Sequence, residues 1–137
     1  MAECCCGSDG KVKLLYACSG AANTGFLADN VSRRLVGLGI GKMTCLAAVG
    51  AGLSGFVESA RSAGENLVLD GCPVACGKMI FETLRIPFRH FVMTDYGVEK
   101  GKTEITPELI GQTALSVAEK IVTEEVVDER NRSSVRA

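Results

Sequence analysis

Short apolar runs and longer apolar stripes at helical spacing take turns along this chain, with polar or glycine-rich joints between them. Residues 11–17 (KVKLLYA) are rich in strand formers and stop at the turn-like Cys18-Ser19-Gly20-Ala21-Ala22-Asn23, which predicts a first strand. From Thr24, Phe26, Leu27, Val31, Leu35 and Leu38 recur at helical spacing opposite Arg33 and Arg34, and Gly37 and Gly39 close the element. Residues 40–45 read as a second strand. A glycine-rich stretch then leads to Ser54, the cap of a helix running to Ala63. Asn66-Leu67-Val68-Leu69-Asp70 makes a third strand, and Pro73 reads as the first residue of a helix that buries Val74, Met79, Ile80 and Leu84. Residues 88–94 (FRHFVMT) form a fourth strand, followed by a solvated polar loop through Glu99, Lys100, Lys102 and Glu104. Thr106-Pro107-Glu108 supplies a cap, a first-position proline and a first-turn acid. Leu109, Ile110, Ala114, Val117, Ala118, Ile121 and Val122 then stripe a long C-terminal helix. After Val127 the periodicity stops, so residues 128–137 are expected to fray into a mobile tail.

Four alternations of strand and helix without an internal repeat predict an α/β fold, a parallel four-stranded sheet with helices on both faces. Residues 11–127 form its one domain, preceded by a flexible cysteine-rich segment at 1–10. Ligands of such sheets bind beyond the carboxyl ends of the strands, and in the flavodoxin-like order the crevice lies between strands one and three. Cys18 and Cys72 follow those two strands.

Composition narrows the function classes. A chain of 137 residues with 47% hydrophobic residues and a net charge of -1 is neither of the disordered class nor of the polyanion-binding class, which argues against nucleic acid and acidic membrane surfaces as partners. The longest apolar stretch, 46–57, is broken by Gly50, Gly52, Ser54 and Gly55 and is shorter than the ~20 residues that a bilayer span needs. Met1-Ala2-Glu3-Cys4 does not open a secretory signal, so the expected compartment is the reducing cytoplasm. There, seven cysteines point to metal ligation or thiol chemistry rather than to disulfides.

Cys72 and Cys76, four residues apart at the start of the predicted third helix, can turn both sulfurs to one ion. Cys72 is expected as N-cap and Cys76 in the first turn, where the helix dipole favours negatively charged sulfur. Cys18 reaches the same crevice if strand one neighbours strand three. Cys45 reaches it if strand two ends at Cys45; the alternative for Cys45, among Leu46, Ala47, Ala48 and Val49, is plain core packing. Cys4, Cys5 and Cys6 read as mobile extra thiols. Asp70 either bonds a backbone amide beside the site or merely ends its strand, and His90, well inside the fourth strand, reads as structural. Nucleotide motifs fail: a C-x5-R loop would need arginine where Thr24 stands, Gly37-Leu38-Gly39-Ile40-Gly41-Lys42 follows a helix, and the run from Gly97 to Gly101-Lys102-Thr103 is one residue short of a Walker loop.

Cys18-Ser19-Gly20, Cys45-Leu46-Ala47 and above all Asp70-Gly71-Cys72-Pro73-x-x-Cys76 resemble the DGC family of zinc-binding proteins, named for its Asp-Gly-Cys motif. The resemblance covers residues 11–125. It implies a small cytoplasmic protein of undefined biological role with zinc as cofactor and Cys18, Cys45, Cys72 and Cys76 as ligands. The rival expectation is a thiol enzyme of sulfur transfer or disulfide handling, with Cys72 or Cys18 as nucleophile and a second cysteine resolving the intermediate.

Overall fold

The computed structural model describes residues 12–134, with side chains through residue 125; the N-terminal segment with Cys4, Cys5 and Cys6 and the last residues of the expected tail lie outside the described residues. The elements run β1 (Lys13–Ala17), α1 (Asn23–Gly37), β2 (Lys42–Met43), α2 (Leu46–Gly50), α3 (Ser54–Ser62), β3 (Glu65–Asp70), α4 (Cys76–Leu84), β4 (Arg89–Val92), a 3-10 turn (Met93–Tyr96) and α5 (Pro107–Ser134). The four strands form one sheet in the order β2-β1-β3-β4. All pairings are parallel, with Leu15 opposite Met43 and Leu67, and Leu69 opposite Phe91. The class is α/β, and β1 and β3 lie side by side in the centre.

Both faces of the central strands are covered, which is why they read as near-continuous apolar runs rather than as alternating ones. Successive side chains point to opposite faces. Leu15, Leu67, Leu69 and Phe91 pack with Leu27, Val31 and Leu35 of α1 and with Ala114, Val117 and Ile121 of α5. Tyr16 and Val68 face the other way, against Val49, Ala60, Phe81 and Ile86. The Tyr16 and Phe81 rings meet edge-on at 4.8 Å, a geometry that suits the quadrupoles of two aromatic rings. Arg89, at the start of β4, ties α5 to the sheet through Glu65 at 2.8 Å and Glu124 at 2.5 Å.

Several boundaries differ from the sequence expectation for identifiable reasons. The fourth strand ends at Val92, and the apolar run continues as a 3-10 turn that still buries Met93. The glycine-rich stretch after Cys45 holds α2, a single short helix. Phe26, Leu38 and Val122 are exposed at the margins of their stripes, whereas Val74 lies in the turn ahead of α4 and Met79 falls on the outer side of that helix. Helical backbone continues past Val127 to Ser134. An apolar stripe marks where a helix packs, not where it ends, and Glu and Arg are good helix formers on their own.

The Tyr16 hydroxyl is fully buried and has no hydrogen-bond partner among the described residues, and burial pushes its phenol from 10.0 up to about 12. A phenol raised in the fold contributes stability that is complete below the unfolded value and lost as pH rises from about 10 towards 12, because the unfolded chain then releases its proton first. Tyr16→Phe is therefore expected to be neutral or stabilising at pH 7, and to weaken the alkaline loss of stability, in urea unfolding series at stepped pH. A loss above about 1 kcal/mol at neutral pH would mean that the hydroxyl has a partner.

Candidate metal centre

Three of the four cysteines singled out in the sequence stand just past the carboxyl ends of three adjacent strands. Cys18 follows β1, and its amide donates to the Leu69 carbonyl at 2.9 Å, which extends the β1–β3 ladder by one residue before the chain turns away. Cys45 follows β2. That strand is shorter than the expected 40–45; the Thr44 amide still reaches the Leu15 carbonyl at 2.9 Å, and Cys45, with φ -90° and ψ 111°, is the residue that leads into α2. Its side chain is exposed, which overturns the core-packing alternative: Ala48 and Val49 fill the core in its place. Cys72 follows β3 and is half-buried, as is Cys18, whereas Cys76 is exposed.

The Asp70–Cys76 segment departs most from expectation. Pro73 is not the first residue of a helix and Cys72 is not an N-cap. Residues 72–75 make a turn closed by the Ala75 amide on the Cys72 carbonyl at 3.0 Å, Ala75 takes a left-handed conformation (φ 55°), and α4 begins at Cys76. Proline's fixed φ suits the second position of a turn as well as it suits a helix start. The choice is made by Asp70. Its buried carboxylate accepts the Gly77 amide at 2.8 Å and the Lys78 amide at 3.0 Å, so it caps α4 from the preceding strand. The second carboxylate oxygen also meets His90 Nε2 at 2.7 Å. Asp70 therefore takes the first-turn amides that the sequence reading assigned to the sulfurs.

Gly71 is fixed by contact. A Cβ there would lie 2.6 Å from the Gly25 nitrogen and 2.8 Å from the Thr24 carbonyl oxygen, so only glycine lets this turn cross the start of α1. Gly77 is similar, with Val68 Cγ1 and Asp70 Oδ1 at 2.7 and 3.0 Å from its would-be Cβ. The Asp-Gly-Cys run thus has one physical account: Asp70 caps the helix, Gly71 allows the close crossing, and Cys72 is presented at the crevice between β1 and β3.

Two neighbours were not legible as site residues. The loop after the 3-10 turn is not merely solvated, because Asn23, the first residue of α1, donates to the Glu99 and Thr103 carbonyls at 3.1 and 2.8 Å and accepts the Gly101 amide at 2.7 Å. This clamp brings Lys100 Nζ to 3.4 Å from Cys72 Sγ. No local pattern signals a contact between positions so far apart in sequence. His90 had a signal: it lies opposite Val68 in the parallel register, and residues two apart on a strand share a face, so His90 and Asp70 are neighbours once β3 and β4 are paired.

The donor set suits a thiophilic ion such as zinc: four free thiols at one end of the sheet, two of them exposed and able to turn. Their sulfurs do not form a ready cage, and among the described residues no three of His, Cys, Asp and Glu are gathered as a metal cluster. No helix among the described residues is long and apolar enough to cross a membrane.

A family model described as DGC domain matches residues 14–128. The chain is also 36% identical over 93 residues, 67% of this chain and 71% of the relative, to the anaerobic and virulence modulator AnvM of Pseudomonas aeruginosa. No solved structure matches.

Proposed function

The chain belongs to the DGC-domain family, and we propose that it is a zinc-binding protein in which Cys18, Cys45, Cys72 and Cys76 hold the ion in a structural or regulatory site. The observation that carries this reading is the placement of four free thiols after three neighbouring strands and at one helix start, all at the carboxyl end of a single sheet. An all-thiolate set around zinc makes a closed tetrahedral centre rather than an open catalytic one. Bound there, zinc supplies a cross-link between the segments that follow β1, β2 and β3. Cys18 and Cys72 are half-buried and Cys45 and Cys76 exposed, so to hold one ion the two exposed side chains would have to turn towards the other two. The description of the relative as a modulator is in keeping with a regulatory site. With seven cysteines and a net charge of -1, the protein suits a reducing compartment such as the cytoplasm, and neither nucleic acid nor an acidic membrane surface is its partner.

The contact of Lys100 with Cys72 favours one second reading, a thiol enzyme with Cys72 or Cys18 as nucleophile. Elemental analysis together with a free-thiol count separates the two. Protein purified without added metal or chelator is expected to carry about one zinc per chain, with four of its seven thiols shielded from a thiol reagent until a chelator is added. Metal-free protein in which all seven thiols react at once, with turnover of a disulfide substrate, would contradict the zinc reading and favour the enzyme.

A further inference from the structure

We infer that Lys100 is a positioning residue of the thiolate centre, a fixed cation that offsets the excess negative charge of four sulfurs around one divalent ion. The inference rests on the zinc reading and adds a member to that site. Four thiolates outweigh the charge of the ion they hold, and the surplus is stabilised by hydrogen bonds and cations around the sulfurs. In many strand-to-helix turns the helix start would provide this. Here it does not, because the buried Asp70 carboxylate already accepts the Gly77 and Lys78 amides and brings a negative charge of its own to the same turn.

Lys100 is the side chain placed to compensate. Its Nζ donates to Cys72 Sγ at 3.4 Å, and no carboxylate among the described residues competes for it, whereas the neighbouring Lys102 is paired with Glu99 at 2.9 Å. An exposed lysine ordinarily wanders, since its side chain carries a large rotamer entropy. The backbone beneath this one is held. Asn23 grips the loop at Glu99, Gly101 and Thr103, and the Thr103 hydroxyl accepts the Glu99 amide at 2.8 Å. Because Asn23 opens α1 in the same crevice, the clamp ties the position of Lys100 to the segments that carry the cysteines. The loop and the cysteine turn are distant in sequence, so the contact is a product of the fold and not of chain proximity.

The test is zinc affinity of the full chain, measured by competition with a chromophoric chelator for the wild type, Lys100→Gln, Lys100→Arg and Lys102→Gln. Removing the charge is expected to weaken binding about tenfold, at the lower end of what residues surrounding a metal site contribute. Arginine, which keeps the charge, is expected to stay within about threefold of the wild type. Lys102→Gln should leave affinity unchanged, since that lysine already has its own carboxylate. The gap between wild type and Lys100→Gln should also shrink as salt rises to about 1 M, where charges are screened over ~3 Å, a dependence that a packing role would not produce. Far-UV circular dichroism of each variant checks that the fold is kept. Equal weakening by glutamine and arginine would overturn the inference, and so would a Lys100→Gln protein within about twofold of the wild type. Either result leaves the zinc reading standing; a wild type without zinc affinity overturns both.

Discussion

Cys72→Ser is expected to strip the protein of tightly held zinc and to lower its thermal midpoint by roughly 12 °C in the metal-loaded state. The estimate follows from a thousandfold loss of affinity, about 4 kcal/mol, on a domain of this size, where each kcal/mol moves the midpoint by about 3 °C. The exchange is a clean probe because Cys72 shapes its turn through its backbone: the Cys72 carbonyl accepts the Ala75 amide, and no side-chain cap is lost when sulfur becomes oxygen. In chelator-treated protein, wild type and mutant should therefore differ by less than about 1 kcal/mol, the ordinary range for a substitution away from the core. Calorimetry with and without chelator gives all the necessary values. A mutant that keeps one zinc and the wild-type midpoint would show that Cys72 is not a ligand, and its place in the crevice would then be a matter of backbone geometry alone.

Gly71→Ala should be as damaging for a reason independent of metal. The added methyl would lie 2.6 Å from the Gly25 nitrogen and from the Thr24 carbonyl carbon, and these are backbone atoms of α1 that cannot swing away. Relief requires that the turn and the helix start part, which undoes the docking of both on β3. A cost of about 3 kcal/mol is expected, near the top of what an added methylene usually inflicts in a packed interior. Gly20→Ala is the control: its Cβ would meet only Cys18 Sγ, at 3.7 Å, which is ordinary contact. Urea unfolding of the two metal-free variants should separate them clearly. Gly71→Ala within about 0.5 kcal/mol of the wild type would remove the steric account of the Asp-Gly-Cys motif.

The parallel sheet was legible because both of its faces are covered, so β1 and β3 announce themselves as apolar runs such as Leu14-Leu15-Tyr16-Ala17 and Leu67-Val68-Leu69. The start of α5 was legible from Thr106, whose hydroxyl accepts the Leu109 amide at 3.2 Å. What sequence could not decide were features fixed across the fold. Pro73 carries the same local signal in a turn as in a helix, and the turn prevails because Asp70 reaches forward to cap α4. Val74 and Met79 suit an apolar stripe, yet the left-handed Ala75 resets the phase of the helix and leaves both outside. Lys100 looked like one charge in a solvated run until Asn23 was seen to fold that run onto α1. For the cysteines, spacing and strand ends were enough to pick out the carboxyl end of the sheet. They could not say how far the sulfurs stand apart, because side-chain rotation at exposed Cys45 and Cys76 leaves no mark on sequence.

The most direct measurement of the four-thiolate claim is zinc-edge X-ray absorption on the full chain loaded with one equivalent of zinc. Four ligands at Cys18, Cys45, Cys72 and Cys76 predict a first shell of sulfur alone, at about 2.3 Å and with coordination number near four. A shell that includes nitrogen or oxygen at about 2.0–2.2 Å, with three sulfurs or fewer, would contradict the assignment and leave an open position on the metal.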